Sequence, residues 1–378
     1  MLTTKFKTVI TEYGVGIMAT TEFPLRVEIE NNIGKNFFGI GFSLDALLAR
    51  LASEGEAIER STWRYGALWN SATISYLDIF LPEDTTLLFS KEEQKRMKRS
   101  PSLVYHAKSS NGELLHIPSE AIFFYPKRKQ FGSHHSVTTG WAFHTSKSEA
   151  LAQGYREVIE RDLQMLFWHN RLDKYLKIIP KSKTQKWLKT YGQTPNKNSE
   201  LYILQMKIKL HPSIHSSGYF TLAIQLSQKA PYISVGSAIK ESDYGSFQTA
   251  IGEMIMLHTN QYNMILSALK YSDEFSYNSH ITRATYEKTS RDRVRELISI
   301  ILKTKKRLNL DYSKHNYQVV YLDPPPNTLN GVVAKVWVDN TQGMVPAGFK
   351  EYKVSNYWKE KWNMSQAQWQ ENIWHPYP

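Results

Sequence analysis

Cysteine is absent from the 378 residues. That excludes disulfides, thiolate metal ligands and a cysteine nucleophile, and it fits a cytoplasmic protein. No apolar run approaches the roughly 20 residues that a helix needs to cross a bilayer, so no membrane role is expected. The N-terminal stretch MLTTKFKTVITEYG lacks the apolar region and small-residue cleavage site of a secretory signal. No phosphate-binding glycine loop is evident either. Acidic residues are outnumbered, 35 against 47 basic ones, for a formal charge of +12. Such an excess raises nucleic acid as a partner. The basic residues are scattered, however, in short groups at 91–99, 127–129 and 303–307. No nucleic-acid partner is expected. A hydrophobic content of 41% with 13% aromatics supports a substantial core.

What the chain does have is a repeated acidic pattern. Residues 39–63 (GIGFSLDALLARLASEGEAIERSTW) open with glycines and carry an apolar stripe through Leu44, Leu47, Leu48, Leu51 and Ala52. They then present Glu56, Glu59 and Arg60. This predicts a loop leading into a helix, with Ser43 as its cap. Residues three apart share a helix face, so Glu56 and Glu59 point together. Alone, such a face is ordinarily just solvated. Residues 139–168 repeat the design: a glycine-containing lead-in, an alanine-containing helix, then Glu157, Glu160 and Arg161, so that EAIER and EVIER stand about a hundred positions apart. A third segment, 235–263, offers Glu253 after Ala250 and Ile251. Close carboxylates repel unless a positive charge sits between them. Magnesium is held by a few carboxylates plus substrate phosphates, so three such helices suggest a metal–nucleotide site.

The doubled E-x-I-E-R pattern with a third Ala-x-x-Glu helix resembles the nucleotide-binding helices of the YcaO superfamily, ATP-dependent enzymes that modify peptide backbone amides. The resemblance covers about residues 37–378. It implies an α/β fold of the YcaO type, with repeated strand–loop–helix units and mixed sheets around a central ATP/Mg site. The units fall at about 37–63, 138–168 and 232–265, in a single domain spanning 1–378. It implies Glu56, Glu59, Glu157, Glu160 and Glu253 as Mg2+ ligands, directly or through water. Glu59, Arg60, Arg161, Gln248 and Thr249 would face ATP. The azoline-forming members often end in a proline-rich tail whose carboxylate reaches the active site; here 374–378 (WHPYP) would bring the carboxylate of Pro378 there as the base. Three departures stand out. Ile40 occupies the middle of a Gly-x-Gly where the family commonly has lysine, Lys335 stands where it often has arginine, and only two of the usual three alternating prolines are present, Pro376 and Pro378, with His375 one step earlier.

The implied reaction starts on a ribosomal precursor peptide. A Ser, Thr or Cys side chain attacks the preceding carbonyl, the oxyanion takes the γ-phosphoryl of ATP, and phosphate leaves an oxazoline or thiazoline, as in microcin-type heterocyclase subunits. No segment resembles a leader-peptide clamp, so a separate E1-like, leader-binding partner is expected, with an FMN-dependent dehydrogenase completing azole formation. A thioamide- or amidine-forming relative and a non-catalytic scaffold of the same fold are the alternatives; the presence of all five glutamates argues against the scaffold.

The remaining pattern is coarser. Strands are expected within 1–38 with a turn at 31–35, and a surface helix and linker at 82–101. A hairpin is expected at 103–125, turning at Ser110, Asn111 and Gly112. His134 and His135 read as loop residues, because no third ligand lies at metal spacing. Leu163, Leu166, Phe167 and Trp168 should bury the second acidic helix. A surface helix is expected within 180–200, strands at 201–210, 219–226, 317–322 and 332–338, and a helix at 291–308.

Overall fold

The computed structural model describes residues 2–11, 14–25, 35–75, 78–83, 87, 91–98, 102–123, 139–194, 199–229, 231–268, 288–305, 307–342 and 353–371. The first strands, β1 (Thr3–Thr11), β2 (Gly14–Leu25) and β3 (Lys35–Ser43), form an antiparallel sheet. Helix α1 (Ala46–Tyr65) lies on β2 and β3. Then come β4 (Thr73–Ser75), α2 (Lys91–Met97), β5 (Ser102–Ser109), β6 (Leu114–Pro118), α3 (Ser119–Ile122), β7 (Trp141–His144) and α4 (Lys147–Trp168). The middle of the chain supplies β8 (Lys177–Ile178), α5 (Lys181–Thr190), β9 (Ser199–Lys209), β10 (Gly218–Ser227), β11 (Ile233–Lys240) and α6 (Asp243–Ala268). The last elements are α7 (Lys288–Lys303), β12 (Leu310–Asp311), β13 (Tyr317–Leu322), β14 (Val332–Val338), α8 (Asn356–Trp362) and α9 (Gln366–Glu371).

Two further sheets have the orders β11-β10-β9-β12, with β8 on β9, and β4-β5-β13-β14-β7, with β6 on β5. Strand β14 is buried at all seven positions, the pattern of a strand covered on both faces. Its alternation sorts two cores: Val332, Ala334, Val336 and Val338 join the cluster around α4, while Val333 and Trp337 join the cluster of Ile58, Ile122 and Trp141. Leu163, Leu166, Phe167 and Trp168 are buried in the first, as expected.

The segment after β3 departs from its expected form. Gly39 and Gly41 are strand residues, not loop, and the helix is capped by Asp45, whose carboxylate accepts from the Leu47 and Leu48 amides. Ser43 ends the strand and accepts from Asp45 N. The glycines are needed for approach: a Cβ on Gly39 would stand 1.9 Å from the Ser53 carbonyl oxygen, and one on Gly41 2.0 Å from that of Ala49. Helix α1 therefore meets β3 with its small face, Ala49, Ser53 and Ala57. The leucine stripe turns outward, with Leu47 61% and Leu48 59% exposed. Periodicity located the stripe but could not tell which face the sheet would take. Gly236 repeats the arrangement inside β11, where a Cβ would lie 2.2 Å from the Ala250 carbonyl oxygen. The hairpin of β5 and β6 turns through Gly112 at φ 84°. Helix α7 stops at Lys303, short of the expected end. The turn before Lys35, the pair His134 and His135, and the tail at 374–378 lie outside the described residues.

Each acidic helix packs on the strand that leads into it and touches the strand of another unit. Helix α1 packs on β3 and reaches β7; α4 packs on β7 and β14 and reaches β11; α6 packs on β11 and β10 and reaches β3. The three units thereby close a ring.

Candidate functional site

The ring encloses a cavity of about 270 Å3 lined by Glu56, Glu59 and Arg60 from α1, Glu157 and Arg161 from α4, and Glu253 from α6. Ile40, Trp63, Trp141, Met256 and Leu257 complete its wall. The first acid of each helix is tied to the backbone of its own unit. Ile40 N donates to Glu56 at 2.5 Å, Gly140 N to Glu157 at 3.2 Å, and Ser237 N to Glu253 at 2.6 Å. The second acid reaches the next unit: Phe143 N donates to Glu59 at 2.7 Å, and the Ser237 hydroxyl to Glu160 at 2.5 Å. On α6 the position three beyond Glu253 is Met256. Gly140 can make this turn because its φ is 81°.

The arginines sit one turn beyond the first acids. Arg60 pairs with Glu56 at 2.6 Å, and Arg161 with Glu157 at 3.8 Å. Arg161 also donates to the Gln164 side-chain oxygen at 3.3 Å. Charge in this enclosure is costly. Desolvation, then the Arg161 guanidinium opposing it and Glu160 adding to it, bring Glu157 up to about 7. Desolvation and the neighbouring Glu160 carboxylate bring Glu253 up to about 7 as well. Glu59 is raised well above the usual carboxylate range by burial, against the pull of the Phe143 amide. Lys335 is buried in β14, donates to the Thr139 carbonyl at 2.5 Å, and acts on Glu157 through its charge. It is enclosed by Trp141 and Trp337 and does not line the cavity.

Of the residues singled out in the sequence, Glu56, Glu59, Arg60, Glu157, Arg161 and Glu253 meet in one cavity. Glu160 joins them through Ser237 and through its field on Glu253. Gln248 and Thr249 do not line it; Thr249 is exposed and its hydroxyl donates back to the Gly245 carbonyl. Pro378 lies outside the described residues. Ser237, Gln164, Trp63 and Trp141 carry no motif and were not legible beforehand. Among the described residues, no three Asp, Glu or His side chains are arranged to hold a metal ion alone. That suits magnesium, which keeps oxygen ligands from phosphate and water beside a few carboxylates. Crowded hard oxygen donors with raised proton affinity, next to two guanidiniums, fit a cation shared with a triphosphate.

Helix α4 carries a second buried acid facing away from the cavity. Asp162 accepts from Tyr312 Oη at 2.6 Å, Gln342 N at 2.7 Å and Trp358 Nε1 at 2.9 Å. Burial still raises it to about 6. It ties α4 to α8.

Residues 40–237 match the family model described as YcaO cyclodehydratase, ATP- and Mg2+-binding. No curated protein matches. The fold is similar to a chain of the E. coli microcin synthetase McbBCD complex with pro-MccB17 bound, at 14% identity and a TM-score of 0.65, over 99% of this chain and 96% of that one. It is similar to a heterocyclase in complex with substrate and cofactor (12% identity, TM-score 0.60, 97% of this chain and 54% of that one). It is also similar to YcaO from Methanopyrus kandleri bound with AMPPCP and Mg2+ (14% identity, TM-score 0.53, 90% and 85%). No helix among the described residues is long and apolar enough to cross a membrane.

Proposed function

Because the chain belongs to the YcaO family of ATP- and Mg2+-binding cyclodehydratases, we propose that it is the cyclodehydratase subunit of a peptide-modifying system. Its reaction converts Ser, Thr or Cys residues of a ribosomal precursor peptide to oxazolines or thiazolines. The observation that carries this reading is the convergence of Glu56, Glu59, Glu157 and Glu253, from three helices, on one cavity.

ATP bound with Mg2+ supplies the phosphoryl group that makes an amide oxygen a leaving group. Phosphoryl transfer asks the protein for positioning and charge neutralisation. Glu56, Glu59, Glu157 and Glu253 would hold the metal directly or through water, with Glu160 supporting them. Their hydrogen bonds to Ile40, Phe143, Gly140 and Ser237 fix the carboxylates before any ligand arrives. Arg60 and Arg161 would offset phosphate charge. Trp63, Trp141, Met256 and Leu257 restrict water in the cavity, which strengthens each electrostatic contact there. Gln248 and Thr249 remain candidates for nucleotide contact from α6. A leader-binding, E1-like partner would present the peptide, and an FMN-dependent dehydrogenase would oxidise the product.

The test is mass spectrometry of a candidate precursor peptide after incubation with ATP, Mg2+, this chain and its partner proteins. Loss of one water per modified residue is expected. Replacement of oxygen by sulfur, or no mass change with a partner set that binds the peptide, would overturn the assignment.

A further inference from the structure

Glu160 is held by a chain of hydrogen bonds whose direction the chemistry fixes. A guanidinium can only donate, so the atom of Gln164 that faces Arg161 at 3.3 Å is its oxygen. The Gln164 amide nitrogen therefore points the other way and donates to the Ser237 hydroxyl. With its oxygen accepting, Ser237 directs its hydrogen to Glu160 Oε1 at 2.5 Å. The same residue donates its backbone N–H to Glu253 at 2.6 Å. Gln164 and Ser237 are buried, at 1% and 3% exposure, so water does not compete for these groups. Neither residue lines the cavity.

We propose that Ser237 and Gln164 are positioning residues for magnesium, a relay from Arg161 that fixes the Glu160 carboxylate beside Glu253. This rests on the reading of the cavity as a magnesium–nucleotide site. The relay joins two helices and a strand: Arg161, Gln164 and Glu160 stand on α4, and Ser237 on β11 beneath α6. It also gives Arg161 a fixed place, since its guanidinium is held by Gln164 on one side and Glu157 on the other. Outer-shell partners of this kind set ligand orientation, and their loss typically lowers metal affinity about 10–100-fold.

The experiment measures binding of a non-hydrolysable ATP analogue to the full chain at a series of Mg2+ concentrations, and without Mg2+. The variants are Ser237→Ala, Gln164→Met and the pair. Ser237→Ala keeps the backbone N–H that serves Glu253 and removes only the hydroxyl. The expected result is a rise of about tenfold or more in the Mg2+ concentration giving half-maximal binding, with Mg2+-free nucleotide affinity unchanged. Gln164→Met should produce a rise of the same kind, and the double variant should resemble the stronger single one, because one relay is broken. Parental Mg2+ dependence in either folded variant overturns the proposal. So does an equal loss of Mg2+-free binding, which a merely structural role would give, or multiplication of the two effects in the pair. Absence of Mg2+-dependent binding in the parent chain would instead overturn the functional reading itself.

Discussion

Magnesium-dependent nucleotide binding is expected to tighten as pH rises, because metal must displace protons from Glu157 and Glu253. Both carboxylates are brought to about 7 in the metal-free protein, mainly by desolvation. A group of that pKa is about nine-tenths protonated at pH 6 and about one-tenth at pH 8. Each carboxylate that must ionise therefore weakens apparent affinity about tenfold between pH 8 and pH 6, and the pair about a hundredfold. The charges of Glu160 and Glu157 both raise Glu253, so these acids titrate together. Glu59, raised well above the usual carboxylate range mainly by burial, acts in the same direction.

The stability consequence has the matching sign. A carboxylate whose pKa is raised by folding binds its proton more tightly when folded. Its stabilising contribution is complete below the unfolded value and is lost as pH rises through the folded one. Between about pH 4.5 and pH 7 these acids should make the metal-free protein progressively less stable, and a bound cation reverses that. Calorimetric titration with a non-hydrolysable ATP analogue and Mg2+, in buffers of different ionisation heat, gives both affinity and proton count. At pH 7 the pair should release about one proton per complex, and at pH 8 only about 0.2. Glu157→Gln should lower the release at pH 7 by about half a proton. A binding curve flat from pH 6 to 8, or heats independent of the buffer, would refute the account of the cavity as a cluster of protonated acids awaiting a cation.

Other expectations follow from packing. Gly236→Ala places a Cβ 2.2 Å from the Ala250 carbonyl oxygen, so α6 must move off β11. A loss of at least about 2 kcal/mol in denaturant unfolding is expected, along with weaker Mg2+-dependent binding as Glu253 shifts. Asp162→Asn sets an amide N–H against one of three donors, Tyr312, Gln342 N or Trp358; unfolding free energy should fall by about 3 kcal/mol. Leu47→Ser and Leu48→Ser fall on the outward face of α1 and should leave unfolding free energy within about 0.5 kcal/mol of the parent.

The site's acids were legible because helical spacing alone sets which carboxylates share a face, and two near-identical pentapeptides placed them at one depth in two units. Glu253 stands in a weaker copy with a single acid, and the metal role of all these acids came from the resemblance to the family. The strands expected at 201–210, 219–226, 317–322 and 332–338 were legible too, from apolar and β-branched runs bounded by turn residues, whereas β11, with Gly236 inside it, was not. The orientation of α1 was not. Its leucines outweigh its alanines on any hydrophobic scale, yet the sheet accepts Ala49, Ser53 and Ala57, because Gly39 and Gly41 let backbone approach backbone there. Small residues on both sides of a seam leave no periodic signal. Ser237 and Gln164 were illegible for a different reason: each acts through a partner about seventy positions away, and only the fold brings them together. Lys335 was placed on the correct strand, but its burial between Trp141 and Trp337 depends on strand alternation that the residue type argues against.

The unit pattern breaks at Met256, and the break has a physical reason. On α1 and α4 the second acid finds a donor on the next strand, Phe143 N for Glu59 and the Ser237 hydroxyl for Glu160. The corresponding seam, between α6 and β3, is apolar: Phe42 and Tyr191 pack against the Phe247, Ile251 and Met254 cluster, and a Cβ on Gly252 would stand 3.6 Å from the Phe42 ring. A glutamate at 256 would follow Glu253 on α6 as Glu59 follows Glu56 on α1. It would add a further carboxylate to a cavity where burial and mutual repulsion already bring Glu157 and Glu253 to about 7. Acids and arginines from α1 and α4 face Glu253, while Met256, Leu257 and Trp63 form an apolar wall. Threefold repetition thus builds the ring, and α6 departs from it twice, with Met256 in the place of the second acid and Leu257 in the place of the arginine.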